Sequence, residues 1–168
     1  MPMATTTTPP RTRKAARATA DDDTPYVDTV DASFLETLVG YNARRTALFV
    51  IEQFMQRMAA FDLRTVDFSV LSLITHNPGI TSRQLCSNLN ILAPNLVAMV
   101  NALEKKKLIA RKPHPLDGRA MGLHLTAKGQ KLMVEAEQAV NQLELDATAK
   151  LTAAERKTLL ALLKKVYQ

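Results

Sequence analysis

LAPNLVAMVNALEKKKLIARKPHPLDGRAMGLHLT, residues Leu92 to Thr126, is the stretch that decides the fold. Its first half carries Leu96, Met99, Val100 and Leu103 at helical spacing, which predicts a helix from about Ala93 to Lys107. Pro94 suits the first turn of that helix, where a missing N–H costs nothing. Pro94, Asn95, Ala98, Asn101 and Lys105 are left on the outward side. The second half reads as two short strands, Leu108 to Lys112 and Met121 to Leu125. Between them lie Pro113, Pro115 and Asp117-Gly118, so the pair forms a hairpin with an exposed basic tip, a wing.

Working upstream, Thr81 with Gln84 three residues on is a capping-box pattern that opens a helix with Leu85 and Leu89 buried. The short Asn90-Ile91-Leu92 turn joins it to the helix after Ala93, which makes a helix-turn-helix. Cys86 lies beside the buried leucines and reads as a small core residue. Before it, Val66 to Asn77 forms a helix with Phe68, Leu71 and Ile74 on one face, stopped by Asn77-Pro78-Gly79. A single long helix is expected from about Ser33 to Phe61, with apolar residues on more than one face. Downstream, Thr126 caps a helix to about Ala149, and Thr152 with Glu155 caps the last one, striped by Leu159, Leu162, Leu163 and Val166.

The fold class is therefore all-α with a small β-hairpin wing: a winged helix-turn-helix whose N- and C-terminal helices have apolar surface left over for a partner subunit. The organisation predicted is a disordered extension over 1–30, an N-terminal dimerisation helix over 31–65, the winged helix-turn-helix over 66–126 and C-terminal dimerisation helices over 127–168. The extension has a basic cluster (Arg11, Arg13, Lys14, Arg17) and an acidic triplet at 21–23, with too little apolar area to offset chain entropy.

The chain has 168 residues and a net charge of +6. All of that surplus falls between Glu104 and Lys131, where Lys105, Lys106, Lys107, Arg111, Lys112, Arg119, Lys128 and Lys131 face only Glu104 and Asp117. A charge excess held in one short segment points to an anionic partner there. No apolar run approaches the roughly 18 residues of a membrane span, and the N-terminus lacks the apolar core of a secretory signal. The single cysteine fits a reducing cytoplasm. His76, His114 and His124 have no metal-ligand spacing, no nucleophile motif surrounds Cys86, and no glycine-rich phosphate loop occurs, so neither an enzyme nor a cofactor or metal is expected.

From Phe34 to Tyr167 the order of parts resembles the multiple-antibiotic-resistance regulator (MarR) family of bacterial repressors. Asn95 to Glu104 looks like the family's recognition helix, and Asp117-Gly118-Arg119 like its wing-tip Asp-x-Arg. Leu123-His124-Leu125-Thr126-Ala127-Lys128-Gly129 is similar to the L-x-LT-x-x-G that closes the wing. The resemblance implies a cytoplasmic homodimer, nucleoid-associated when bound, that holds a pseudo-palindromic double-stranded DNA operator and releases it for a small aromatic carboxylate or phenolic effector.

On that reading Asn95 either pairs bidentately with adenine or holds a phosphate, and Pro94 and Val97 offer apolar contact to thymine methyls. Arg119 would reach a narrow minor groove, with Asp117 orienting it as a wing support. Lys105, Lys106 and Arg111 would attract phosphates without reading sequence. Leu92 replaces the Ser or Thr that often opens this helix, Ala98 an arginine, and Lys107 the glycine that often ends it. These departures leave few polar base readers. Tyr41, Arg44, Arg45 and Arg57, with Phe68, either form an anchor for a small aromatic acid or make ordinary surface contacts. Two other functions stay in view: a redox-sensing repressor that uses Cys86, and a non-specific architectural DNA protein.

Overall fold

A computed structural model describes residues 28–114 and 117–168, the side chains of 114–119 aside. Seven α-helices and a small antiparallel sheet are seen among them. The expected first helix is two. A short α1, Ser33–Glu36, is followed by a break at Thr37-Leu38 and then by α2, Val39–Met58, which tightens into a 3-10 turn over Ala59–Phe61. Side chains hold the break: Thr37 Oγ1 donates to the Phe34 carbonyl, and Asn42 Nδ2 donates to the carbonyls of Glu36 and Leu38.

α3 is Thr65–His76 and α4 is Ser82–Leu89. At the start of α3 the buried Asp67 carboxylate accepts from Arg64 Nε at 2.8 Å and Nη2 at 3.1 Å, so it is not left without partners. Thr81 and Gln84 form the reciprocal cap of α4. Asn90, at φ 51°, ends α4 in the left-handed conformation that asparagine tolerates.

α5, Ala93–Lys105, ends in a Schellman motif. Leu108 N donates to the Leu103 carbonyl at 3.0 Å and Lys107 N to Glu104 at 2.8 Å, with Leu103 and Leu108 both buried beneath. Lys107 takes the left-handed position at φ 59°. Such a conformation costs a non-glycine residue about 1–2 kcal/mol. Glycine's larger unfolded-state entropy offsets about 0.4–1 of that. Lys107→Gly is thus expected to stabilise the fold by about 0.5–1 kcal/mol, read as a raised urea midpoint at unchanged slope.

The wing strands are β2, Ile109–His114, and β3, Asp117–Leu125, both longer than the sequence pattern indicates. A third strand, β1 at Ile80–Thr81, was not foreseen; it pairs with Leu123 and Gly122, giving the order β1-β3-β2. Two residues carry no readable period. The clue lay in Gly79 and Gly122: a Cβ on Gly122 would sit 2.8 Å from the Gly79 carbonyl oxygen. β2 is an edge strand, so Pro113 lacks an N–H at little cost, and the register shifts just after it.

α6, Ala127–Ala147, and α7, Ala153–Tyr167, complete the chain, each capped by its threonine as expected. α6 packs along α2 and reaches α3 and β3. One core results, from Phe54 and Met58 through Val70, Leu71 and Ile74 to Leu85, Leu96, Val100, Leu123, Met133 and Leu143. α7 contributes nothing to it and has no buried residue. Its Leu160, Leu162 and Val166 are exposed, as are Phe34 in α1 and Val39 and Leu48 in α2. No helix among the described residues is long and apolar enough to cross a membrane.

Candidate nucleic-acid interface

α4 and α5 meet through the Asn90-Ile91-Leu92 turn, and Leu85, Leu96, Val100 and Leu103 bury the inner faces of both. That burial fixes what α5 presents outward. Pro94, Asn95, Val97, Ala98, Asn101 and Lys105 are all exposed, and Leu92 is 74% and Val97 50% accessible. Leu92 provides no side-chain cap for the first turn. The outward face is thus apolar at its leading edge, with one unattached carboxamide, Asn95, among the described contacts.

Asn101 and Arg111 are not independent groups. Arg111 on β2 donates from Nη2 to Asn101 Oδ1 at 2.7 Å, and its Nη1 lies 3.2 Å from Glu104 Oε2. The wing strand is thereby tied to the helix. Sequence reasoning missed Glu104 in this role because its partner lies across the turn between α5 and β2. Lys106 is also committed: its Nζ donates to the Asp62 carbonyl at 3.0 Å and to Asp62 Oδ2 at 2.8 Å. The Lys106 hydrogen bond holds the Asp62 carboxyl below the usual carboxylate range. Lys105, Lys107 and Lys112 remain exposed around this framework.

Arg119 and Asp117 have their backbone in β3, where Asp117 pairs with His114. Their side chains, and so the expected pairing between them, lie outside the described residues. So does the 1–27 part of the N-terminal extension.

The end of α5 is fastened to the start of α6. Thr126 N donates to the Leu108 carbonyl at 3.0 Å and Thr126 Oγ1 to that of Lys107 at 2.7 Å, while Lys128 Nζ donates to Lys106 O. Gly129 N returns a bond to Thr126 Oγ1. A Cβ at Gly129 would lie 2.0 Å from the Leu108 carbonyl oxygen, so the approach needs glycine.

The suggested effector residues are dispersed. Arg45 lies over the Tyr41 ring at 6.0 Å, and Arg44 is exposed on the same helix. Arg57 pairs with Asp146 at 2.8 Å, joining α2 to α6, and that hydrogen bond keeps the Asp146 carboxyl below its ordinary range. Phe68 packs edge-on against Phe54 and lines a cavity of about 400 Å³ with Ser72, His76, Glu137, Val140 and Asn141. There His76 Nε2 is 3.0 Å from Glu137 Oε1, which also accepts from Ser72. Cys86 is half-buried on α4.

Comparison with known proteins accounts for this arrangement. A family model described as the MarR family matches residues 61–120. A transcriptional regulatory protein assigned to the hcr operon of Thauera aromatica is 34% identical over 131 residues, covering 77% of this chain and 79% of the relative. The transcriptional repressor CouR bound to a 23-mer DNA duplex is 34% identical with a TM-score of 0.76, over 83% of this chain and 99% of that one. CouR bound to p-coumaroyl-CoA superimposes equally well, with a TM-score of 0.75 at 33% identity, over the same shares of the two chains. The reduced form of MarR from E. coli is 30% identical with a TM-score of 0.68, over 78% of this chain and 97% of that one.

Proposed function

The chain belongs to the MarR family of transcriptional regulators, and from that premise we propose that it is a homodimeric repressor released from its operator by a small aromatic effector. The observation that carries this is the outward face of α5 with the wing beside it, in a chain that superimposes on a DNA-bound repressor over nearly all of that repressor's length. In this reading α5 lies in the major groove and the wing tip enters the neighbouring minor groove. Apolar contact from Pro94, Val97 and Ala98 supplies part of the specificity, and Asn95 and Arg119 supply polar contacts.

The free apolar faces of α1, α2 and α7 support dimerisation, since nothing among the described residues covers them. Two copies then present two recognition helices about one turn of DNA apart, ~10 bp, which suits a pseudo-palindromic site. The effector is an aromatic or phenolic acid, free or as its coenzyme A thioester; CouR, with p-coumaroyl-CoA bound, supports that chemistry. Phe68 would take its ring; Tyr41, Arg44 and Arg45, about 14–20 Å away along α2, would meet the anionic part only of an effector as long as a coenzyme A thioester. Arg57 would have to exchange Asp146 for the effector to take part.

The test is a fluorescence-anisotropy titration with duplex from the gene's upstream region, repeated with benzoates, hydroxybenzoates, phenols and aromatic acyl-CoA thioesters. Binding with a salt-dependent Kd and release by one of these ligands is expected. Asn95→Ala should weaken the specific complex by ~1–3 kcal/mol, and Arg119→Ala by at least as much. Equal affinity for any duplex would leave only the architectural role. Release lost in Cys86→Ala, with oxidant replacing the ligand, would favour redox sensing.

A further inference from the structure

Arg111 has five N–H donors and no acceptor. The atom of Asn101 that meets it at 2.7 Å must therefore be the carboxamide oxygen, and the amide is not free to flip. Arg111 is itself held from two sides. Glu104, three residues after Asn101 on the same side of α5, takes its other terminal nitrogen at 3.2 Å. The backbone of Arg111 is registered against Leu123, which is buried in the core. With its oxygen turned back to the wing strand, Asn101 has its Nδ2 hydrogens as the groups left without a partner among the described residues. It shares that exposed side of α5 with Pro94, Ala98 and Lys105.

We infer that Asn101 reads DNA as a donor only, selecting a guanine edge in the major groove, and that Glu104 acts through Arg111 as a positioning residue that sets this choice. Of the four base edges in the major groove, guanine alone offers two acceptors and no donor; adenine pairs an acceptor with a donor, cytosine offers a donor, and thymine a single acceptor beside its methyl. A free asparagine would take adenine through both of its amide atoms. A fixed one cannot turn its oxygen to adenine without giving up the Arg111 bond, although that oxygen keeps a second lone pair. The inference rests on the reading above, in which α5 occupies the major groove.

The experiment is selection from a randomised duplex pool by the full-length protein and four variants, each first checked for an unchanged melting temperature. The wild type is expected to enrich a pseudo-palindrome with one guanine per half-site that disappears from the Asn101→Ala selection. On that site, guanine-to-adenine replacement should weaken wild-type binding about five- to tenfold and leave Asn101→Ala unaffected. Arg111→Met and Glu104→Ala should both accept adenine or guanine there, whereas Glu104→Gln, whose carbonyl still accepts from Arg111, should restore guanine. Glu104→Ala carries the test alone if Arg111→Met does not fold. An unchanged consensus for Asn101→Ala overturns the inference, and so does retention of strict guanine by Glu104→Ala. A wild-type pool that enriches no sequence overturns the operator-reading function itself, a separate and recognisable failure.

Discussion

Gly129→Ala is expected to destabilise the protein by about 3–5 kcal/mol, lowering the melting temperature by about 10 °C. The added methyl carbon would lie 2.0 Å from the Leu108 carbonyl oxygen, and that oxygen belongs to backbone that also starts β2. No flexible side-chain end can yield there. α6 would have to withdraw by more than an ångström, and overpacking of this kind alone costs about 1–3 kcal/mol. Withdrawal also weakens the Thr126 bonds to Lys107 and Leu108, at about 1 kcal/mol apiece. The same substitution at Gly40 in α2 meets nothing within 4 Å. It should be neutral or stabilising by up to about 1 kcal/mol, the helix-propensity difference. Chemical denaturation of the two variants side by side makes the comparison, and equal midpoints would show that the α5–α6 junction is looser than the geometry indicates.

The second large effect concerns α7. Paired substitution of Leu159 and Leu162 by glutamate is expected to convert the dimer to monomer in sedimentation and to weaken operator binding at least about 100-fold, because each monomer then holds one half-site without avidity. Both leucines are exposed in the single chain, Leu159 at 37% and Leu162 at 54%, and neither belongs to the core, so the change removes little packing inside it. Two carboxylates placed in an apolar interface cannot be desolvated without large cost. Far-ultraviolet circular dichroism should stay close to that of the parent. Dimer mass persisting in the variant would assign the contact to α1 and α2 alone.

Much of this architecture was legible because its signals are local. The caps at Thr81, Thr126 and Thr152 lie within three residues of their partners, and the buried stripe of α5 repeats at one helical period. The break between α1 and α2 was hidden because apolar residues continue across it, Leu35, Leu38 and Val39, while the hydrogen bonds that stabilise it come from Thr37 and Asn42. The site was less legible than the fold. The sequence leaves Arg57 between an effector anchor and a surface contact, which Asp146, 89 residues away, supplies, and it places Asn101 on the outward side with no sign that Arg111 holds its oxygen. Side-chain pairs between elements leave no periodic trace in a sequence. They arise only when packing brings the elements together.

α6 has a mechanical consequence beyond holding the domain together. It has 21 residues and so measures about 32 Å, with the recognition helix pinned at its start and Arg57 of α2 bonded near its end through Asp146. It is a rigid lever with a load at each end. A tilt of about 5° across such a length becomes a displacement of about 3 Å at the far tip, close to the axial rise of one base-pair step, about 3.4 Å. In the proposed dimer two such levers swing in mirrored directions, so the distance between the reading heads changes by about twice that amount. An effector that alters only the angle between α2 and α6 could thus put the pair out of phase with its site while leaving each reading surface intact.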